Sequence, residues 1–75
     1  MGKKKPKVRN RIRELRAECG LTQQDLADAI GVSRQTVNAI EGEKYSPSLE
    51  AAFQIAAALG RRLDEVFEYE DGKRR

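Results

Sequence analysis

Arg34, Gln35, Thr36 and Asn38 are the residues of this chain whose types and spacing suggest chemistry. Their side chains carry hydrogen-bonding groups that match the edges of DNA bases. Arginine reaches the two acceptors of guanine, glutamine and asparagine pair with adenine, and threonine bonds either kind of edge. An ordinary solvated helix face contains the same residue types, so the surrounding sequence has to decide between the two readings.

Those surroundings, Gln23 to Glu41, read QQDLADAIGVSRQTVNAIE. Leu26, Ala27 and Ile30 fall on one helical face, Gly31-Val32-Ser33 breaks the period, and Val37 and Ile40 restart it three residues apart. The spacing predicts two short helices, Gln23–Ile30 and Arg34–Glu41, joined by a tight turn. Ala27 stands where the helices approach most closely and a larger side chain would wedge them apart. Gly31 ends the first helix, because a left-handed backbone is cheap only for glycine. Val32 turns inward as a plug. Ser33 caps the second helix and Thr22 the first, with Asp25 three residues on completing a short capping box.

A segment of this kind resembles the helix-turn-helix of phage repressors, the Cro/cI type, also called the xenobiotic-response-element family. The likeness extends beyond the motif, from Leu15 to Phe67, and the run from Ile40 to Leu49, IEGEKYSPSL, is especially similar to the family's short single-domain members. The resemblance implies an all-α, five-helix DNA-binding domain. It also implies a small antiparallel ribbon pairing the N- and C-terminal segments.

Composition agrees with that scale. Seventy-five residues make one domain near the lower limit for a single core. Hydrophobic content of 39% and charged content of 36% describe a surface-rich chain with a small core. There is one cysteine, Cys19, and no histidine, which excludes an intramolecular disulfide, a zinc finger and His-based catalysis. No enzyme constellation of nucleophile, base or metal ligands is arranged, so no activity, cofactor, metal or small-molecule ligand is expected. No apolar run reaches membrane-spanning length and no signal-peptide apolar region follows the N-terminal lysines, which points to the cytoplasm.

The net charge of +3 is unevenly placed. Residues 1–16 hold eight basic groups and one acid, while the other 59 residues hold seven basic groups and eleven acids. A polyanion is therefore drawn to the N-terminal end and to a few placed groups rather than to the whole body. Residues 1–6 read as a disordered basic arm, residues 7–70 as the DNA-binding domain, and residues 71–75 as a polar tail.

The remaining helices follow from caps and periodicity. The first runs from near Asn10 to Cys19, with Ile12, Leu15 and Cys19 (or Arg16 beside it) on one face, and stops at Gly20. Gly42 stops the third. Ser48 caps a fourth helix that runs to Leu59 with a buried stripe of Leu49, Ala52, Phe53, Ala56 and Leu59. A short fifth, Leu63–Phe67, buries Leu63, Val66 and Phe67 but starts at Arg62 where the family often has Ser or Thr. At the two ends, Val8 among charges and the alternation Phe67-Glu68-Tyr69-Glu70 are strand signals. Lys7, Arg9 and Arg11 are then expected opposite Glu68, Glu70 and Asp71. Frayed ends are the alternative.

Further roles come from the resemblance. Glu41 corresponds to a position that commonly pairs with a basic residue of the first helix, here Arg16. Phosphate contacts are expected from Thr22, Gln23 and Gln24 at the start of the second helix, from Ser33 at the start of the third, and from Lys44 and Tyr45 in the following loop. Tyr45 could instead pack over the fourth helix. One such domain reads few base pairs, so a homodimer on an inverted-repeat operator is expected, with Leu59, Leu63, Val66, Phe67 and Tyr69 as its interface. Some of these must also serve the monomer core. The partners are thus double-stranded DNA and a second copy, in a transcriptional regulator that represses. The other reading is an antitoxin, which binds a protein toxin as well as its own promoter.

Overall fold

The computed structural model describes residues 7–70, in the order β1 (Lys7–Asn10), α1 (Ile12–Cys19), α2 (Gln23–Ile30), α3 (Arg34–Glu41), α4 (Leu49–Leu59), α5 (Leu63–Val66) and β2 (Phe67–Glu70). The expectations for residues 1–6 and 71–75, including the cross-strand role of Asp71, lie outside the described residues.

The helices begin and end where the capping chemistry puts them. Thr22 Oγ1 accepts the Asp25 N–H at 2.9 Å and the Asp25 carboxylate accepts the Thr22 N–H at 3.0 Å, a complete capping box for α2. Ser33 and Ser48 accept the Thr36 and Ala51 N–H groups in the same way for α3 and α4. Arg62, a guanidinium with no acceptor, supplies no such bond to α5; only the reciprocal half forms, with Glu65 accepting the Arg62 N–H at 2.8 Å.

Two helix ends differ from expectation, the start of α1 and the end of α5, which stops at Val66 because Phe67 opens β2; α3 ends before Gly42 as expected, though by a different turn. Helix α1 starts at Ile12 because Asn10 belongs to β1 and bends its side chain back to accept the Ile12 N–H at 3.1 Å. The same amide donates to the Ile40 carbonyl at 2.9 Å, so it ties the start of α1 to the end of α3. At the end of α3, Gly42 has φ −82° and the left-handed residue is Glu43, with φ +62°. The Glu43 and Lys44 N–H groups bond Ile40 O and Ala39 O at 3.0 Å, so the terminating motif sits one residue later than the glycine suggests.

The core joins every helix. Ile12 and Leu15 of α1, Leu26, Ala27 and Ile30 of α2, Val37 and Ile40 of α3, Ile55, Ala56 and Leu59 of α4, and Val66 of α5 form one buried cluster. Val32 packs against it from the turn, as expected of a plug. Cys19, a candidate for the inner face of α1, is exposed.

The buried stripe of α4 is a correction. Ala52, Ile55, Ala56 and Leu59 face inward, whereas Leu49 is 70% and Phe53 54% exposed. The helix carries apolar residues nearly all the way round, so its periodicity allows more than one inner arc. Contact with α2 and α5 selects the arc centred on Ile55.

The two terminal strands pair antiparallel, with Val8 opposite Tyr69, Arg9 opposite Glu68 and Asn10 opposite Phe67. The charge pairing across them is diagonal: Arg9 Nη1 donates to Glu70 Oε1 at 3.0 Å and Arg9 Nε lies 3.6 Å from Glu43. Arg11 does not pair across the ribbon as expected. It lies past the strand end and its guanidinium meets Glu14 one helical turn on, at 3.3 Å.

Candidate nucleic-acid interface

Helices α2 and α3 pack against each other, and Ala27 of α2 is fully buried in the core cluster they share. The left-handed Gly31 and the bond from Val32 N–H to Ala27 O at 3.0 Å close α2 and turn the chain sharply into α3. With Val37 and Ile40 anchored in the core, the opposite side of α3 faces solvent.

That side carries the four predicted base-reading residues. Arg34, Gln35 and Asn38 are exposed and Thr36 is half-buried. Among the described residues, Arg34 and Gln35 have no side-chain partner, so their donors are available. Thr36 Oγ1 lies 3.0 Å from Ser33 Oγ, which turns its hydroxyl toward the helix start. Asn38 Oδ1 accepts from Gln23 Nε2 at 3.2 Å.

Behind this face lies a polar cluster that fixes α3 to the scaffold. Arg16 Nε and Nη2 reach the two Glu41 oxygens at 2.7 and 3.3 Å, as the sequence predicts, while Arg16 Nη1 donates to Leu21 O at 2.9 Å. Gln23 Nε2 adds a bond to Glu41 Oε1 at 3.1 Å, and Arg13 Nε stands 3.8 Å from the same oxygen. The Glu41 side chain is only 2% exposed, so these partners take the place of water. Glu41 as a three-helix hub was not legible from sequence beyond its Arg16 pair.

The expected phosphate-binding groups divide by what already occupies them. The Thr22 N–H and hydroxyl are taken by the capping box. Accepting that N–H holds the Asp25 carboxyl below its usual range. The Gln23 and Gln24 backbone N–H groups remain open at the α2 start, and Arg34 and Gln35 N–H at the α3 start. The side chain of Gln23 does not point a donor outward, because both its N–H groups face Asn38 and Glu41. Gln24 bonds Asp28 at 2.9 Å, and Ser33 accepts the Thr36 N–H. Lys44 and Tyr45 are exposed in the loop that follows α3.

The predicted interface set divides into core and surface residues, as the expectation that some of them serve the monomer core requires. Leu59 and Val66 are 3% and 1% exposed and belong to the core cluster. Leu63 and Phe67 are half-buried, and Tyr69 is exposed. With Val8, they line a shallow apolar hollow rimmed by Arg62 and Asp64. Among the described residues no cluster of metal-ligating side chains occurs and no helix is long and apolar enough to cross a membrane.

A capped helix pair closed by a left-handed glycine, with a polar outward helix locked from behind, defines a helix-turn-helix DNA-binding domain. The helix-turn-helix family model matches residues 12–66, and this chain belongs to that family, in its Cro/cI type. It is 50% identical over 64 residues to an uncharacterised HTH-type transcriptional regulator of Methanocaldococcus jannaschii, covering 85% of this chain and 97% of that one. It is 37% identical over 59 residues to the immunity repressor protein of Bacillus phage phi105, covering 79% of this chain and 41% of the repressor. The crystal structure of the restriction-modification controller protein C.AhdI from Aeromonas hydrophila superposes with a TM-score of 0.68 at 35% identity, over 72% of this chain and 78% of that one. The chain is a transcriptional regulator with a helix-turn-helix DNA-binding fold, not an enzyme.

Proposed function

We propose that this chain binds an inverted-repeat operator as a homodimer and represses transcription in the cytoplasm. One observation carries the reading. Arg34 and Gln35 stand open on α3 while Val37 and Ile40, on its other side, are buried in the core. An outward helix of this width fits the major groove, where Arg34, Gln35, Thr36 and Asn38 would meet base edges. The open backbone N–H groups at the starts of α2 (Gln23 and Gln24) and α3 (Arg34 and Gln35), with Lys44 and Tyr45, would hold the flanking phosphates and set the register. Residues 7–70 form the DNA-binding unit, with a basic arm before it and a polar tail after it.

The homodimer reading is supported by the hollow lined by Val8, Leu63, Phe67 and Tyr69, an apolar surface suited to a twofold partner. Two copies would read half-sites about 34–36 Å apart, and one domain alone reads too few bases for selectivity. Repression is supported by the likeness to a phage immunity repressor.

The test is selection of bound duplexes from a random pool, followed by sedimentation of the complex. An inverted repeat with two chains per duplex is expected. A single chain per duplex at saturation would remove the dimer, and failure to enrich any sequence would remove the operator.

A further inference from the structure

We infer that Gln23 sets which bases Asn38 accepts, by holding the Asn38 amide in one orientation so that it presents a hydrogen-bond donor, not an acceptor, to the DNA. This rests on the proposed role of α3 as the reading helix and names the specificity of one of its positions.

The argument starts from Arg16. Its guanidinium offers donors only and engages both Glu41 oxygens, at 2.7 and 3.3 Å. A carboxylate paired in this way offers acceptors only. The Gln23 side-chain amide next to it therefore has one permitted orientation. Its Nε2 lies 3.1 Å from Glu41 Oε1 and donates; the flipped amide would set two acceptors against each other at that distance. The second N–H of Nε2 is then aimed at Asn38, 3.2 Å away. A donor there requires an acceptor, so Asn38 must turn Oδ1 toward Gln23, and its Nδ2 is left on the other side. The polarity of a nearly buried ion pair passes in this way through Gln23 to an exposed residue of α3.

The consequence is a base preference. Bidentate pairing with adenine needs the Asn oxygen and nitrogen aimed together at one base edge, the oxygen accepting from N6 and the nitrogen donating to N7. Gln23 holds the oxygen toward α2. What remains is a donor, which suits guanine N7 or O6, thymine O4 and, through N7 alone, adenine, and gives nothing to cytosine; adenine loses the bidentate pairing that would set it above guanine. Gln23 is a positioning residue: it acts on the DNA through Asn38.

The experiment is selection from a random duplex pool with the parent protein and three variants, each checked for folding by circular dichroism. Asn38→Ala locates the base position that Asn38 reads, as the one whose preference it erases. At that position the parent should disfavour cytosine by about fivefold to tenfold, the weight of one hydrogen bond, and should not prefer adenine to guanine. Gln23→Leu keeps the bulk and removes both donors; with the amide free to turn both its atoms to one base edge, adenine should gain on guanine by about fivefold to tenfold. Asn38→Asp keeps the acceptor facing Gln23 and replaces the outward donor by an acceptor, which should shift the preference to cytosine or adenine. This variant alters no core contact and carries the test if Gln23→Leu does not fold. A parental preference for adenine over guanine at the Asn38 position would overturn the inference. So would an unchanged preference in Gln23→Leu, an unshifted one in Asn38→Asp, or an Asn38→Ala variant that erases preference nowhere. Failure of the parent to enrich any sequence is a separate result, which removes the proposed operator binding itself.

Discussion

Glu41, the last residue of α3, is held by Arg16 of α1 through two bonds of 2.7 and 3.3 Å, although the two lie 25 residues apart in the chain. The pair is nearly dry: the side chains are 2% and 14% exposed. A pair like this gives little net stability compared with apolar residues of the same shape, yet losing one partner strands the other's charge. Arg16→Ala should therefore cost about 3 kcal/mol in chemical denaturation. Arg16→Met combined with Glu41→Leu should recover most of it. An Arg16→Ala protein that unfolds at the parental denaturant midpoint would show that Gln23 and Arg13 satisfy Glu41 without Arg16.

The close crossing of α2 and α3 is testable at Ala27, fully buried in the core cluster that also holds Val37. Ala27→Leu adds volume where there is no room, and overpacking costs about 1–3 kcal/mol. In so small a domain that is a large share of the stability. Melting temperature and operator binding should fall together, although no proposed DNA contact is touched. Ala57→Leu, on an exposed position of α4, should melt close to the parent. Equal melting of both variants would argue against the tight crossing.

Gly42 and Gly31 should respond oppositely to alanine. Gly31 has φ +75°, where a side chain is strained, so Gly31→Ala should destabilise by about 1 kcal/mol. Gly42 has φ −82°, and an added Cβ would sit 3.4 Å from the Asn38 carbonyl oxygen, an ordinary contact. Gly42→Ala should therefore stabilise by about 0.5 kcal/mol through the unfolded chain. Calorimetric melting of the two variants reads the sign directly; a destabilised Gly42→Ala would mean that the end of α3 needs more room than its backbone angles indicate.

Reading and holding should separate in binding measurements. Arg34→Ala or Gln35→Ala should cost about 1–3 kcal/mol on the selected operator and relax preference at one base position. Lys44→Ala should weaken binding to every duplex alike and lower the salt slope by about one unit. Identical losses on operator and random DNA for all three would dissolve the division between them.

The helix-turn-helix was legible in the sequence because its signals are local. Thr22 with Asp25, Ser33 and Ser48 act within one turn, so caps written in the chain are caps in the fold. Leu26, Ala27, Ile30, Val37 and Ile40 sit at spacings that leave each helix one apolar face, so their burial was determined as well. Alternation in Phe67–Glu70 announced β2, and Val8 its partner. Tertiary structure decided what local spacing leaves degenerate. On α4, apolar on nearly every side, only contact with its neighbours chose Ile55 over Phe53. Leu59 and Val66 are as apolar as any interface residue, and only the closure of the other helices over them makes them core. The left-handed turn after α3 falls on Glu43, not on Gly42, because the Glu43 and Lys44 N–H groups join that of Gly42 on the last carbonyls. The Gln23–Asn38 bond joins the outer ends of two helices 15 residues apart in the chain. A donor and an acceptor can be read from residue names, but which of them meet depends on the angle at which helices cross, and that angle is set by packing.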